Sequence, residues 1–220
     1  MTVLARYLTD PAFTATTFVV IDFEGTTPAG HPPEPTEVGA ILLRLKAGAM
    51  TCVGRYTALI QPPAHAPLTA ADSRQTGISQ TMLTGRPAAG PVLAELDALL
   101  SEPPYVTVAH HASTEAGILR RYAHVCPTLA AAAMLDTLAL AKTCRPGLDS
   151  YSLDGMLTQY GIAIPADRHR ALADALATAE LLTRLLADGA TRHRWSQLAQ
   201  LRRLAGVPPP SSATTQAPLF

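Results

Sequence analysis

A mixed α/β fold, a β-sheet flanked by helices, is the architecture this sequence predicts, and three observations predict it. β-Branched and aromatic runs open the chain as strands, and strand-like runs then alternate with stretches of helical spacing. With 48% hydrophobic and 15% charged residues over 220 positions, the apolar surface suffices for one compact domain. A domain of this size buries roughly 70% of its unfolded surface and needs neither disulfides nor a structural metal to fold. The elements follow in order. Residues 17–23 read as a buried strand. Residues 36–45 and 53–60 flank the Gly-containing KAGAM connection and so predict an antiparallel hairpin, ended by Pro62 and Pro63. Helical spacing over 91–100 leads to a strand over 105–110 and a helix over 113–124. A strand around Asp136 runs into a helix over LALAKTC, and residues 151–160 form another helix. Leu172, Ala175, Ala179, Leu182 and Leu186 mark a long helix.

Composition excludes several classes. No apolar run reaches the roughly 18 residues of a membrane span, and MTVLARYLTDP lacks the apolar core of a secretory leader, so a cytoplasmic protein without a membrane partner is expected. Cys52, Cys126 and Cys144 are widely spaced and form no CxxC pair, as suits a reducing compartment. The 17 basic and 17 acidic side chains cancel, which weighs against a general electrostatic nucleic-acid binder. They are nevertheless unevenly placed: 14 acids against 10 bases up to Asp167, then 7 bases against 3 acids from Arg168 onward. Residues 189–206 hold Arg192, Arg194, Arg202 and Arg203 without an acid, with Trp195, Leu198, Leu201 and Leu204 at helical spacing. This predicts a basic C-terminal helix, for which a merely solvated face is the competing reading. The domain organisation read here is an N-terminal segment 1–16, a main domain 17–188, the basic helix 189–206 and a Pro/Ser/Thr-rich flexible tail 207–220.

The chemistry resides in acids at element ends. Asp22 and Glu24 lie two apart on a strand, so both carboxylates project from one face. Buried like charges are costly unless a cation lies between them, and oxygen-only ligands favour Mg²⁺ or Mn²⁺ over zinc. The competing reading pairs one acid with an arginine and turns the other to solvent. The segment DRHRALADALATAELL adds His169 and Asp174. Inside one helix they would stand about 140° apart. If the helix instead starts just after His169, both reach one site, and the imidazole can take a proton from water near neutral pH.

The segments DFEGTT, AHHASTEAGIL and HRALADALATAELL resemble, in order and spacing, the three motifs of the DEDDh 3′→5′ exonucleases, the family of the proofreading epsilon subunit of bacterial DNA polymerase III, ribonuclease T and oligoribonuclease. QTGIS and LDTLALAKTCRPGLDSYSLDGMLTQYGI are similar to the family's linking segments, so the resemblance covers about residues 17–188 and makes that region an exonuclease domain. The resemblance implies a ribonuclease H-like mixed sheet flanked by helices, two Mg²⁺ or Mn²⁺ ions, and a nucleic-acid 3′ end as substrate. It also implies that Asp22, Glu24, Glu115 and Asp174 hold the metals and that His169 is the general base, Asp22 bridging the two ions. Glu115 departs from the family pattern, which has Asp there, and Thr114 stands where an aromatic is common. Gly25, Thr26 and Thr27 follow Glu24 and are expected to grip the terminal nucleotide, an ordinary turn being the other reading.

The expected function is therefore hydrolysis at DNA 3′ ends in proofreading or repair, beside two alternatives: an RNA-trimming exoribonuclease, or a non-catalytic nuclease-fold module in a replication complex. The preference for DNA comes from the tail. Gln216, Leu219 and Phe220 resemble the QxxLF peptides that bind the bacterial sliding clamp, and the clamp and a DNA polymerase subunit are the expected partners.

Overall fold

The structure, a computed structural model, describes residues 3–193 and 195–208. Its described residues form a five-stranded sheet in the order β3-β2-β1-β4-β5. The strands are β1 (Thr17–Thr26), β2 (Glu34–Lys46), β3 (Ala49–Leu59), β4 (Tyr105–Ala109) and β5 (Ala133–Asp136). Central β1 runs antiparallel to β2 and parallel to β4, and β5 continues parallel to β4. The expected hairpin is present: Lys46 pairs with Ala49 around Ala47 (φ 49°) and Gly48 (φ 80°). Two successive positive φ values give the turn the hand that matches the sheet's twist.

The helices are α1 (Pro11–Ala15), α2 (Ala70–Thr76), α3 (Gln80–Leu83), α4 (Ala89–Ala98), α5 (Ser113–Arg121), α6 (Pro127–Ala131), α7 (Thr137–Cys144), α8 (Leu153–Tyr160), α9 (Ala171–Asp188) and α10 (Leu198–Ala205). Period-two alternation along β1 builds a core on each face. Phe18 and Val20 pack with residues of α7, α8 and α9, whereas Val19, Ile21 and Phe23 pack with residues of α4, α5 and α6. By the same parity Asp22 and Glu24 emerge on the α9 side.

Helix α9 crosses the sheet at Gly39 of β2. A Cβ there would lie 2.3 Å from the Ala171 carbonyl carbon and from the Leu172 nitrogen, so only glycine lets the start of α9 rest on the strand. Gly39→Ala is therefore expected to destabilise the protein by roughly 2–3 kcal/mol, about 4–12 °C in Tm, because backbone rather than a movable side chain must give way. A thermal melt within 1 °C of wild type, as an estimate of the measurement's resolution, would refute this close approach.

The segments that flank residues 17–188 belong to the same body. A 3-10 helix, Val3–Thr9, and α1 bring Leu4, Tyr7 and Phe13 into the core, and the Tyr7 hydroxyl donates to the Leu186 carbonyl at 3.1 Å. The Asp10 carboxylate caps α1 and accepts from the Leu198 N–H at 2.7 Å. The single basic helix expected over 189–206 is two pieces, a π-helical turn at Gly189–His193 and α10. The chain bends between them because Trp195 folds back onto Gly189, where a Cβ would lie 2.0 Å from its ring, and becomes buried. Gly206 bridges to Leu135, and the Val207 N–H donates to the Met134 carbonyl at 2.9 Å, so the stretch read as tail begins hydrogen-bonded to β5. Gln216, Leu219 and Phe220 lie outside the described residues. Among the described residues no helix is long and apolar enough to cross a membrane.

Candidate active site

Glu24, Asp174 and His169 meet where β1 ends against α9, and Asp22 and Glu115 lie near enough to act on these acids by charge. Asp22 and Glu24 come from β1, Glu115 from the first turn of α5, and Asp174 from the first turn of α9. Ala112 offers α5 no side-chain cap, so the unpaired N–H groups and positive end of the helix favour a carboxylate at Glu115. Ligand atoms of Glu24, His169 and Asp174 all lie within 4.8 Å of one another. Burial, followed by the charges of Glu115, Asp174 and Glu24, holds the Asp22 carboxyl well above the usual carboxylate range. Burial also pushes Glu24 up to about 7, with Asp174 and Glu37 adding to it and Arg168 and Arg170 opposing. Glu115 is likewise pushed up to about 7 by burial; its own backbone N–H opposes this, while Asp136 and Glu24 reinforce it.

Glu115 Oε2 and Asp174 Oδ1 are buried without a hydrogen-bond partner. Unpartnered carboxylate oxygens in an all-oxygen set of this kind suit a hard divalent ion. The same crowding gives the metal-free protein a pH dependence. Because Glu24 and Glu115 titrate higher in the fold than in the unfolded chain, their contribution to stability is complete below about pH 4.5 and is lost as pH rises through about 7. Stability in a chelator should therefore be lower at pH 8 than at pH 5.5, by an amount on the order of a few kcal/mol, and the melting point should fall with it. Mn²⁺ should restore it at pH 8, and a melting point indifferent to both variables would contradict the crowding.

His169 reaches this cluster because it precedes the helix. Its φ is 63°, Arg170 is the extended N-cap, and α9 starts at Ala171. A left-handed residue with a side chain costs on the order of 1–2 kcal/mol and persists only where its surroundings impose it. Both neighbours are indeed tied down. Arg168 pairs with Asp174 Oδ2 and with Asp154 in the first turn of α8. Arg170 makes a two-pronged contact with Glu37, Nε to Oε2 at 3.0 Å and Nη2 to Oε1 at 2.7 Å.

The loop before α5 is fixed in a comparable way. His111, with φ 62°, donates its backbone N–H to Asp136 at 2.9 Å, and the same carboxylate oxygen caps α7 through Leu138. His110 faces the Tyr151 carbonyl through Nε2 at 2.9 Å and the Thr137 hydroxyl through Nδ1 at 2.8 Å. The carbonyl can only accept, so Nε2 carries the proton, and burial lowers the ring's pKa.

Of the three residues expected to grip a nucleotide, two are engaged by the fold. Gly25 lies at a β-bulge, where Gly25 pairs with Pro35 and a Cβ would sit 2.6 Å from the Glu34 carbonyl oxygen. Thr26 is 1% exposed and its hydroxyl donates to the Ala66 carbonyl at 3.2 Å. Thr27 alone is exposed, just beyond the strand. Sequence reasoning did not single out Glu37, Arg168, Arg170 or Asp136. A signal for Glu37 existed: an acid inside the strand-like run TEVGAILL must find a partner once buried.

A mixed sheet with helices on both faces and acids converging at the end of its central strand defines a ribonuclease H-like exonuclease fold. Solved structures with that fold include the nuclease domain of 3'hExo bound to rAMP, a DEDDh family member, with a TM-score of 0.66 and 19% identity over 82% of this chain and 95% of that one. Exonuclease X in complex with 5' overhanging duplex DNA is another, with a TM-score of 0.61 and 22% identity over 86% and 98% of the two chains. Residues 19–182 match the RNase T family of exonucleases, and the chain belongs to it. Its sequence is 35% identical over 178 residues to the DNA polymerase III PolC-type of Thermotoga maritima, covering 80% of this chain and 12% of that relative. It is 30% identical over 196 residues to the DNA polymerase III subunit epsilon of Aquifex aeolicus, covering 86% of this chain and 89% of the relative. The chain thus spans only a small part of its PolC-type relatives and nearly the whole length of the epsilon relative.

Proposed function

We propose that the chain is a metal-dependent 3′→5′ exonuclease that removes nucleotides from DNA 3′ ends in proofreading or repair. The convergence of Asp22, Glu24, Glu115 and Asp174 beside His169, with Glu115 Oε2 and Asp174 Oδ1 buried and unpartnered, carries the reading. These four acids are the residues that would hold two Mg²⁺ or Mn²⁺ ions, which would supply charge stabilisation for the phosphate oxygens and the leaving 3′ oxygen. The protein's own residues do the rest. His169 takes the proton of the attacking water on a ring nitrogen held outside the helix, and Arg168 pairs with Asp174 Oδ2 while Oδ1 is left unpartnered. Thr27, exposed just beyond β1, would meet the terminal nucleotide through its hydroxyl.

DNA is favoured over RNA because relatives in sequence include DNA polymerase III polypeptides. A cytoplasmic replication setting, a polymerase subunit as partner, and a sliding clamp bound through Gln216, Leu219 and Phe220 accord with that choice. Digestion of 5′-labelled single-stranded DNA, mismatched duplex DNA and RNA under one set of conditions tests it. Both DNAs should shorten stepwise from the 3′ end, and only with Mg²⁺ or Mn²⁺ present. Faster trimming of RNA would transfer the proposal to an exoribonuclease, and no product from any substrate would leave a binding module.

A further inference from the structure

We infer that Glu37 and Arg170 are positioning residues, a buried clamp between β2 and the start of α9 that presents the His169 imidazole to Glu24 and Asp174. The inference rests on the reading of His169 as the proton acceptor. It starts from an unmet need: Arg170 occupies the N-cap of α9, yet its side chain makes no capping hydrogen bond. A carboxylate from the neighbouring strand takes over that task. Glu37 Oε2 accepts from the Ala171 N–H at 3.0 Å as well as from Arg170 Nε, and Oε1 accepts from Arg170 Nη2, so one acid holds both the first helical N–H and the cap residue's guanidinium.

Three further features make this a device for placing His169. Glu37 is 3% exposed, and a buried carboxylate is retained only with its hydrogen bonds in place. It pairs in register with Glu24, so the strand that bears a site acid and the strand that bears the clamp move as one. Two residues along β2, Gly39 lets the Ala171 backbone approach closely, which closes the distance that Glu37 spans. The left-handed backbone of His169 lies between this clamp and the Arg168 contact to Asp174, so release of Arg170 frees one of its two sides. The residues expected from the sequence carry the chemistry; the charge of Glu37 bears on Glu24, while its hydrogen bonds go to Arg170 and Ala171 and so act on His169.

Glu37→Gln, with its fold checked by melting, should lower kcat at saturating Mn²⁺ by about 10- to 100-fold with KM for the 3′ end little changed, as a displaced catalytic group does. In a His169→Ala background the same substitution should change kcat far less than in the wild-type background, because only its charge effect on Glu24 remains once there is no imidazole to position. Multiplying effects would overturn the clamp. The second readout is the His169 ring signal in the NMR spectrum of the metal-free protein, which should shift or broaden in Glu37→Gln; an unmoved signal would also overturn it. Should Glu37→Gln not fold, Arg170→Lys keeps the charge, loses the two-pronged contact, and must show the same dependence on His169. If His169→Ala leaves kcat unchanged, the base role fails by itself, and the ring signal still decides the clamp.

Discussion

Asp22→Asn is expected to abolish hydrolysis while yielding a folded and more stable protein. The charges of Glu115, Asp174 and Glu24 all bear on the Asp22 carboxyl, so it lies near the other three acids proposed to hold metal. Loss of one charged ligand there removes several kcal/mol of transition-state charge stabilisation, a fall in kcat of about 10³-fold or more. The same substitution relieves the metal-free fold of a buried carboxylate raised by burial and by three like charges. At pH 8 without metal this should raise stability by about 1–2 kcal/mol, or about 2–8 °C in Tm. Activity and melting thus move in opposite directions, which no general loss of structure would produce. A purified Asp22→Asn protein with wild-type turnover would remove the acids from the mechanism.

His169→Ala should cost about 10²- to 10⁴-fold in kcat, the range for a lost general base. The side chain's place among the ligand atoms of Glu24 and Asp174 makes a metal-holding role the competing account. The two separate cleanly by titration. A base leaves Mn²⁺ affinity nearly intact and lowers kcat; a ligand weakens Mn²⁺ binding and recovers its rate at high metal concentration. Weak Mn²⁺ binding with normal kcat at saturation would reassign His169 as a ligand.

Residues whose surroundings follow a regular period were legible in the sequence. Asp22 and Glu24 share a face because a strand alternates, and the apolar spacing of α9 placed Asp174 near its start. The strands of the sheet and the β2–β3 hairpin were read from such patterns, with ends shifted by a few residues where the pairing runs on past the apolar stretch, as at Glu34 and Ala49. What escaped depends on contacts across the chain. Nothing local in TEVGAILL tells that Glu37 meets Arg170, because that pair forms only when α9 lands on Gly39. The docking of residues 3–15 escaped for the same reason, since Tyr7 and Phe13 gain their value from Leu186 and Phe18. Thr26 looked available because its hydroxyl follows two acids, and only the fold shows that Ala66 already occupies it.

The pairing of Asp10 with Leu198 has a consequence for how the molecule comes into being. As the chain is synthesised, β1 finds β2 almost at once, but its opposite edge waits for Tyr105 and the rest of β4. Tyr7 and Asp10 wait longer still, for Leu186 and Leu198. Until β4 emerges, a strand with apolar residues on both faces is thus half paired, and its cover by α9 comes later still, which is when association with other nascent chains competes with folding. Residues near Leu198 thus tie down residues near Asp10.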